Sequence, residues 1–266
     1  FGLTHQEFFL QLVAEDLHVS NPLIHMDGTR LMGRWSDLTG EPHPLSTRQH
    51  MFQYGTEFRG SLGHIAMIGH TQYILPFIAG TGNTFFAQPE LDLPYVDEAR
   101  AQGGLAGFPH PYLGETATPE GVSATLIPMD VALGRGDYYD LGAMYSDELN
   151  STAVYYRLLN CGFRLAAAGG TDNFSDVWRD PPPGGDRTYV YLGEEALSVD
   201  GWLEGLEAQR TFMSTGPLLF LEVRGQESDG TRVRAQGPGG EIALDGPAPE
   251  TVEVSAEATS IVPMDR

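Results

Sequence analysis

The chain contains no lysine: its fifteen cationic side chains are all arginine, set against thirty-six aspartates and glutamates. Without a lysine amine, Schiff-base catalysis and the lysine-containing phosphate loop are both excluded. Cysteine is nearly as scarce, with Cys161 alone, so no internal disulfide can form and the thiol count says little about compartment. Its setting, LLNCGFRL, reads as the close of a helix with Gly162 just past it, and the expectation is a buried packing thiol rather than a nucleophile. No apolar run reaches the roughly 18 residues that a bilayer span needs. No G-x-S-x-G elbow offers a serine nucleophile. The formal net charge of -21 repels polyanions, which argues against nucleic acid as a partner and leaves a small-molecule substrate.

What is present is a chain of 266 residues with 41% hydrophobic content, enough to bury a core without disulfides as one large domain plus a small appendage. It opens at Phe1 with neither an initiator methionine nor a signal pattern, so the expectation is that upstream residues are missing. The acidic surface leans slightly toward export, and nothing sets an oligomeric state.

The pattern along the chain alternates strands with helices. Thr4 followed by Glu7 is a capping-box signal, and Phe8, Phe9, Leu12 and Val13 continue it as an apolar helical stripe. LHVSNPLIH reads as a short strand, and the polar stretch from Asp27 to Thr47 as loop. MFQYGTEF and HIAMIGH read as strands, LPYVDEARAQGG as a helix closing at Gly103, and LAGFPHP as a buried strand. GDYYDLGAM, RLAAAGG, TYVYL and RTFMSTG are further strands, with helices at STAVYYRLLNCG and VDGWLEGLEAQ. Such alternation predicts a mainly parallel sheet covered on both faces, closed as a barrel in preference to an open sheet. From Pro217 the composition changes to short alternating strands, LLFLEVRG, GEIALDG and TVEVSAEA, which predicts a partial sandwich-like module over 217–266 after a main domain over 1–216.

In parallel α/β folds, active sites collect beyond the carboxyl ends of strands. Glu57, His64, His110 and Asp172 all fall at or near such ends, and two carboxylates with two imidazoles are a ligand set for zinc, manganese or iron. Each has an ordinary reading as well: a packed or loop histidine, a Glu57–Arg59 ion pair, an Asp172 cap. Gly169 and Gly170 beside Asp172 point to close backbone approach, which favours a site. Arg59 and Arg187 are candidates for orienting an anionic group, and the loop from Phe174 to Arg187 could cover the pocket.

The segments AEDLHV, GTEFRGSLGHIAMIG, AQGGLAGFPHP, YYRLLNCGFRLAAAGGTDNF, DRTYVY and WLEGLEAQRTFMSTGPLLFLEV, in that order over nearly the whole chain, resemble the carbaryl-hydrolase-like branch of the PHP metallohydrolases, the polymerase and histidinol phosphatase superfamily. The resemblance implies a distorted (βα)7 barrel with a metal centre of two divalent ions at its rim. It places Glu57 as the bridging glutamate, His64 and His110 as the histidines after it, Asp172 as the late-strand aspartate, and His25 where many members close their second strand. It also implies a hydrolase in which metal-bound hydroxide attacks a carboxylic or carbamic ester or amide, with Glu57, Asp172 and Arg59 in the catalytic set. Phosphoester cleavage is the alternative reaction. A non-catalytic metal-containing domain and an interaction domain of a larger exported protein are the competing classes. Two departures stand out. The family's first-strand His-x-His pair is absent, since DLHVS carries Ser20 at the second position and follows a helix, so the first strand is expected upstream of Phe1. Asp-x-His at the late strand is here Asp172-Asn173-Phe174.

Overall fold

The structure, a computed structural model, describes residues 3–27, 30–60, 63–75, 78–79, 93–111, 126–143, 147–174, 180–226, 232–242 and 252–261. Helix α1 (His5–Ala14) begins at the expected capping box. Glu7 donates its backbone N–H to the Thr4 hydroxyl at 3.2 Å, and its carboxylate accepts the Thr4 N–H at 2.7 Å. The segment LHVSNPLIH is two strands rather than one, β1 (Val19–Ser20) and β2 (Leu23–Asp27), because Pro22 between them has no N–H to give to a ladder. Within the stretch expected to be loop, β3 (Arg30–Met32) folds back antiparallel on β2. The next candidate strand divides into β4 (Met51–Phe52) and β5 (Gly55–Gly60), followed by β6 (Gly63–Ile68) and β7 (Ile78–Ala79). Then come α2 (Leu93–Ala101), β8 (Leu105–Phe108), a short helix the pattern missed, α3 (Ile127–Ala132), β9 (Tyr138–Gly142), α4 (Glu148–Asn160) and β10 (Ala166–Gly169). The chain continues with β11 (Arg187–Val190), α5 (Val199–Glu207), β12 (Thr211–Ser214), β13 (Leu218–Gln226), β14 (Arg232–Gln236) and β15 (Val252–Thr259).

The main sheet runs in the order β10-β9-β8-β6-β5-β2-β3, with β7 also pairing with β5. It is mixed: β10–β9, β9–β8, β5–β2 and β5–β7 are parallel, whereas β5–β6, β6–β8 and β2–β3 are antiparallel. The α/β class holds, but among the described residues no sheet closes into a barrel. The reversal at β6 follows from its link to β5. Only two residues separate Gly60 from Gly63, which suits a hairpin and is far short of the dozen or so that a parallel crossover needs.

Period-2 alternation gives the sheet two different faces. Phe58, Ile65, Met67, Ala106, Phe108 and Tyr139 point to one side, where they form the main core with Val96 and Ala99 of α2, Ile127 and Val131 of α3 and Leu158 of α4. Every one of these is nearly or fully buried. The other side is built from smaller groups. Glu57, Ala66, Gly107, Tyr138 and Ala166 stand in one cross-strand row, and Ile68, Leu105 and Ala168 beside them pack against Leu206, Trp202 and Leu203 of α5. Gly107 is needed here because the Tyr138 ring lies where a Cβ would be, 2.2 Å from its Cδ2, while the Tyr138 hydroxyl donates to the Ala66 carbonyl at 2.8 Å. Small residues thus clear a face beside Glu57.

One expectation fails at the periphery. Cys161 is exposed, since it caps α4 beyond the helix's buried stripe. The strand expected at GEIALDG lies mostly outside the described residues; its residues to 242 are irregular, and β14 pairs with one side of β13 while β15 pairs with the other.

Candidate metal centre

Glu57 sits in the middle of β5 rather than at its end, and period 2 puts it on the same face as Arg59. The antiparallel register sets His64 directly opposite Arg59, so His64 arrives beside Glu57 from the neighbouring strand. His110 lies two residues beyond β8 with a positive φ of 33°, and Asp172 lies beyond β10 with φ 52°. A left-handed backbone at a non-glycine residue costs on the order of 1–2 kcal/mol, and here both instances turn a side chain toward one place.

The resulting contacts are short. His64 Nδ1 is 2.8 Å and His110 Nε2 3.6 Å from Glu57 Oε1, and the two ring nitrogens are 3.2 Å apart. His25 Nδ1 stands 3.9 Å from Glu57 Oε2, and His110 Nε2 stands 3.9 Å from Asp172 Oδ2. Glu57, His25 and His110 are buried; the Asp172 side chain is 37% exposed. One donor atom from each of Glu57, His64 and His110 lies within 4.8 Å of the other two. A carboxylate oxygen and two imidazole nitrogens aimed at one another in a buried place present three lone pairs with at most two protons between them, a donor set that a divalent cation satisfies. The residues therefore fit a metal ion, with Glu57, His64 and His110 able to hold it and Asp172 and His25 at its edge.

The electrostatics agree with that geometry. Burial alone would raise the Glu57 carboxyl, but hydrogen bonds with His110 and His64 and their charge hold it well below the usual carboxylate range. Burial depresses His64 despite the opposing pull of Glu57. Burial acts the same way on His110, but Glu57 and the charges of Asp172 and Asp140 raise it instead. Desolvation pushes Asp172 up to about 6, with His110 opposing, Glu57 adding and Arg59 opposing. Arg59 thus lies close enough for its charge to act on both His64 and Asp172. Glu57 pairs with His25, His64 and His110 rather than with Arg59. Arg187, the other candidate, donates to the Gly184 and Glu15 carbonyls at 2.6 and 3.2 Å and joins the loop after β10 to the end of α1. His18, the histidine of DLHVS, is 60% exposed and stacked near His50.

A cavity of about 590 Å³ opens onto Glu57, His25 and Asp172. Its lining adds residues that the sequence reading missed. Asp140 is one: burial pushes it up to about 8, His110 pulls it back, and Asp172 and Asp186 add to the rise. It sits two residues from Tyr138 on the site face, a position recognisable only once that face is known. A second is a chain on the cavity wall. The Leu45 N–H reaches His43 Nδ1 at 3.2 Å, His43 Nε2 lies 3.1 Å from His5 Nδ1, and His5 Nε2 lies 3.3 Å from Asp37 Oδ1. With His43 Nδ1 accepting, each ring must donate through Nε2, so the chain runs to the Asp37 carboxylate. No spacing in the sequence announces it. The loop after β10 folds back through Asn173, which donates to the Pro181 carbonyl at 2.8 Å, and Phe174, whose N–H meets Asp180 at 2.7 Å; its residues 175–179, Trp178 among them, are outside the described set.

No family model matches the chain, and no curated protein matches it. A solved two-domain protein from Bacteroides vulgatus, described as containing a predicted PHP-like metal-dependent phosphoesterase, is similar at 12% identity over 79% of this chain and 76% of that one, with a TM-score of 0.42. Similarity at that level decides neither fold nor activity. Among the described residues no helix is long and apolar enough to cross a membrane.

Proposed function

We propose that the chain is a metal-dependent hydrolase of the PHP type, with residues 1–216 as the hydrolase and 217–266 as an accessory β module, and that its substrate is a carboxylic or carbamic ester or amide. The observation that carries this reading is the convergence of Glu57, His64 and His110 on one point at the edge of a cavity sized for a drug-like molecule. A divalent ion held there would supply Lewis-acid activation of water and neutralise charge on the substrate oxygen.

The chain's own residues do the rest. Glu57 stays ionised as an anionic ligand because its two histidine partners outweigh its burial. Asp172, at the cavity edge and raised to about 6, is placed to exchange a proton with a bound substrate or leaving group. Phe8, Leu31, Met32, Phe174 and Trp202 give the cavity apolar walls. These walls favour the uncharged group of an ester, carbamate or amide over a phosphate dianion.

Aryl-ester, aryl-carbamate and phosphoester model substrates, assayed before and after exhaustive chelation, test the reading. Ester or carbamate turnover that chelator abolishes and zinc or manganese restores is expected. Turnover indifferent to chelation contradicts it. Bound metal with no turnover of any class would make the protein a non-catalytic metal-holding domain, and faster phosphoester cleavage would select the alternative reaction.

A further inference from the structure

Helix α1 closes on a charged residue. The Asp16 N–H bonds to the Val13 carbonyl at 3.3 Å and the Leu17 N–H to the Leu12 carbonyl at 2.9 Å, the Schellman closure, with Asp16 in its left-handed position at φ 52°. α2, α3, α4 and α5 make the same closure with Gly103, Gly134, Gly162 and Gln209, none of them charged. A carboxylate at this place meets the negative end of the helix dipole, and no basic side chain occupies the last turn of α1. Arg187 reaches this helix end at the Glu15 carbonyl, whereas the Asp16 side chain turns to an imidazole: Asp16 Oδ1 lies 3.8 Å from His18 Nε2. The His18 ring in turn stacks near the His50 ring, with centres 6.0 Å apart and 30° between planes.

The pairing of β1 with β4 sets these rings side by side. Val19 is opposite Met51, so His18 and His50 stand opposite one another one step before the ladder, and the Met51 N–H donates to the His18 carbonyl at 2.8 Å. His50 Nδ1 lies 3.0 Å from the Leu17 carbonyl. A carbonyl can only accept, so the neutral ring carries its proton on Nδ1 and leaves its lone pair on Nε2. Ligating histidines are held in this way, one ring nitrogen donating to a carbonyl and the other left to the metal. Two imidazoles on one zinc, with Zn–N of about 2.0–2.1 Å, keep their ring centres roughly 5–6 Å apart. The 6.0 Å here is close to that spacing. The His18 and Asp16 side chains are 60% and 80% exposed, so both are free to turn between rotamers.

We infer that Asp16, His18 and His50 form a second metal site at the exit of α1, for a divalent cation that accepts imidazole nitrogen, zinc foremost. An ion held there offsets the Asp16 charge and ties the end of α1 to β4, across a ladder of only two residue pairs. None of the three residues belongs to the Glu57 centre, so the inference does not depend on that centre.

The experiment titrates zinc into chelator-stripped His64→Ala/His110→Ala protein, which lacks the Glu57 centre, with and without His18→Gln/His50→Gln. Calorimetry should show one saturable ion per chain, bound more weakly than at the Glu57 centre, and the added glutamines should abolish it. Magnesium, which prefers oxygen ligands, should not replace zinc. In the wild type the same glutamines should remove the weaker ion and leave the tighter one. Long-range proton–nitrogen spectra should show zinc shifting Nε2 of His18 and His50 while the His50 Nδ1–H stays in place. Asp16→Gly separates ligation from folding. Glycine suits the left-handed turn, so the urea midpoint of the stripped protein should rise while zinc affinity at this site falls several-fold. Any of three results would overturn the inference: zinc uptake that the glutamines leave unchanged, zinc that leaves both rings' spectra unmoved, or no zinc uptake by the His64→Ala/His110→Ala protein. Failure of the Glu57 centre alone would leave the ion at His18 and His50 in place.

Discussion

Replacing Gly107 with alanine puts the floor of the site to a quantitative test. A Cβ there would lie 2.2, 2.3 and 2.5 Å from Cδ2, Cε2 and Cγ of Tyr138, whereas carbon atoms in contact sit at about 3.5–4.0 Å. The ring would have to move by more than about 1 Å. It is not free to do so, since Tyr138 is 5% exposed and its hydroxyl is fixed to the Ala66 carbonyl at 2.8 Å. Overpacking of this kind costs about 1–3 kcal/mol, and a broken buried hydrogen bond adds about 1 kcal/mol, so Gly107→Ala should lose about 2–4 kcal/mol of unfolding free energy. Urea denaturation of the chelated protein measures this without reference to activity. Adding Tyr138→Ala should recover part of the loss, with a coupling of about 0.5–3 kcal/mol between the two positions. Because Tyr138 stands in the same cross-strand row as Glu57, metal uptake should weaken as well. A single alanine variant within about 0.5 kcal/mol of wild type would refute the arrangement of that row.

Other outcomes follow from the same structure. Thr4→Ala should cost about 1 kcal/mol in urea melts by removing the α1 cap, and Thr4→Ser should restore it. Asp130 is 0% exposed, neither carboxylate oxygen has a hydrogen-bond partner among the described residues, and burial raises it from 3.8 to about 6. The folded state therefore holds a proton that the unfolded chain has released, so the stability contribution is complete below about pH 4 and is lost as pH rises through 6. The stability gap between Asp130→Asn and wild type should move in the variant's favour by up to about 3 kcal/mol from pH 4 to pH 7, and a pH-independent gap in urea midpoints contradicts this. Glu57→Gln keeps the shape and removes the anionic ligand. It should fold as wild type by circular dichroism while binding zinc at least about 100-fold more weakly, since even outer partners of ligands cost 10–100-fold.

Parts of this arrangement were legible in the residue order and parts were not, for physical reasons. α1 was readable because a capping box is local chemistry, and the helices at α2, α4 and α5 because a 3.6-residue stripe with a cap or a closing glycine is local too. Glu57 and His64 could be proposed because each lies near an end of an apolar strand segment. The short RGSLG stretch between those segments already required a hairpin, and the expectation of a mainly parallel sheet gave too little weight to its length. His110 and Asp172 carry left-handed φ angles that no pattern in their types announces. Asp140 escaped notice because its face depends on pairing with β8 and β10, which are non-local contacts. The His43–His5–Asp37 chain joins residues thirty-odd positions apart across a loop, and Cys161 was misassigned because a residue after the last helical turn no longer follows the helix's buried stripe.

The central claim is that one cation joins Glu57, His64 and His110, and a calorimetric titration of zinc into chelator-stripped protein tests it directly. The wild-type chain should take up at least one ion saturably with a dissociation constant below micromolar, and the His64→Ala/His110→Ala protein, folded by circular dichroism, should lose that site. Stripped wild-type protein that binds no ion, or a double variant that binds as tightly as wild type, would contradict the account.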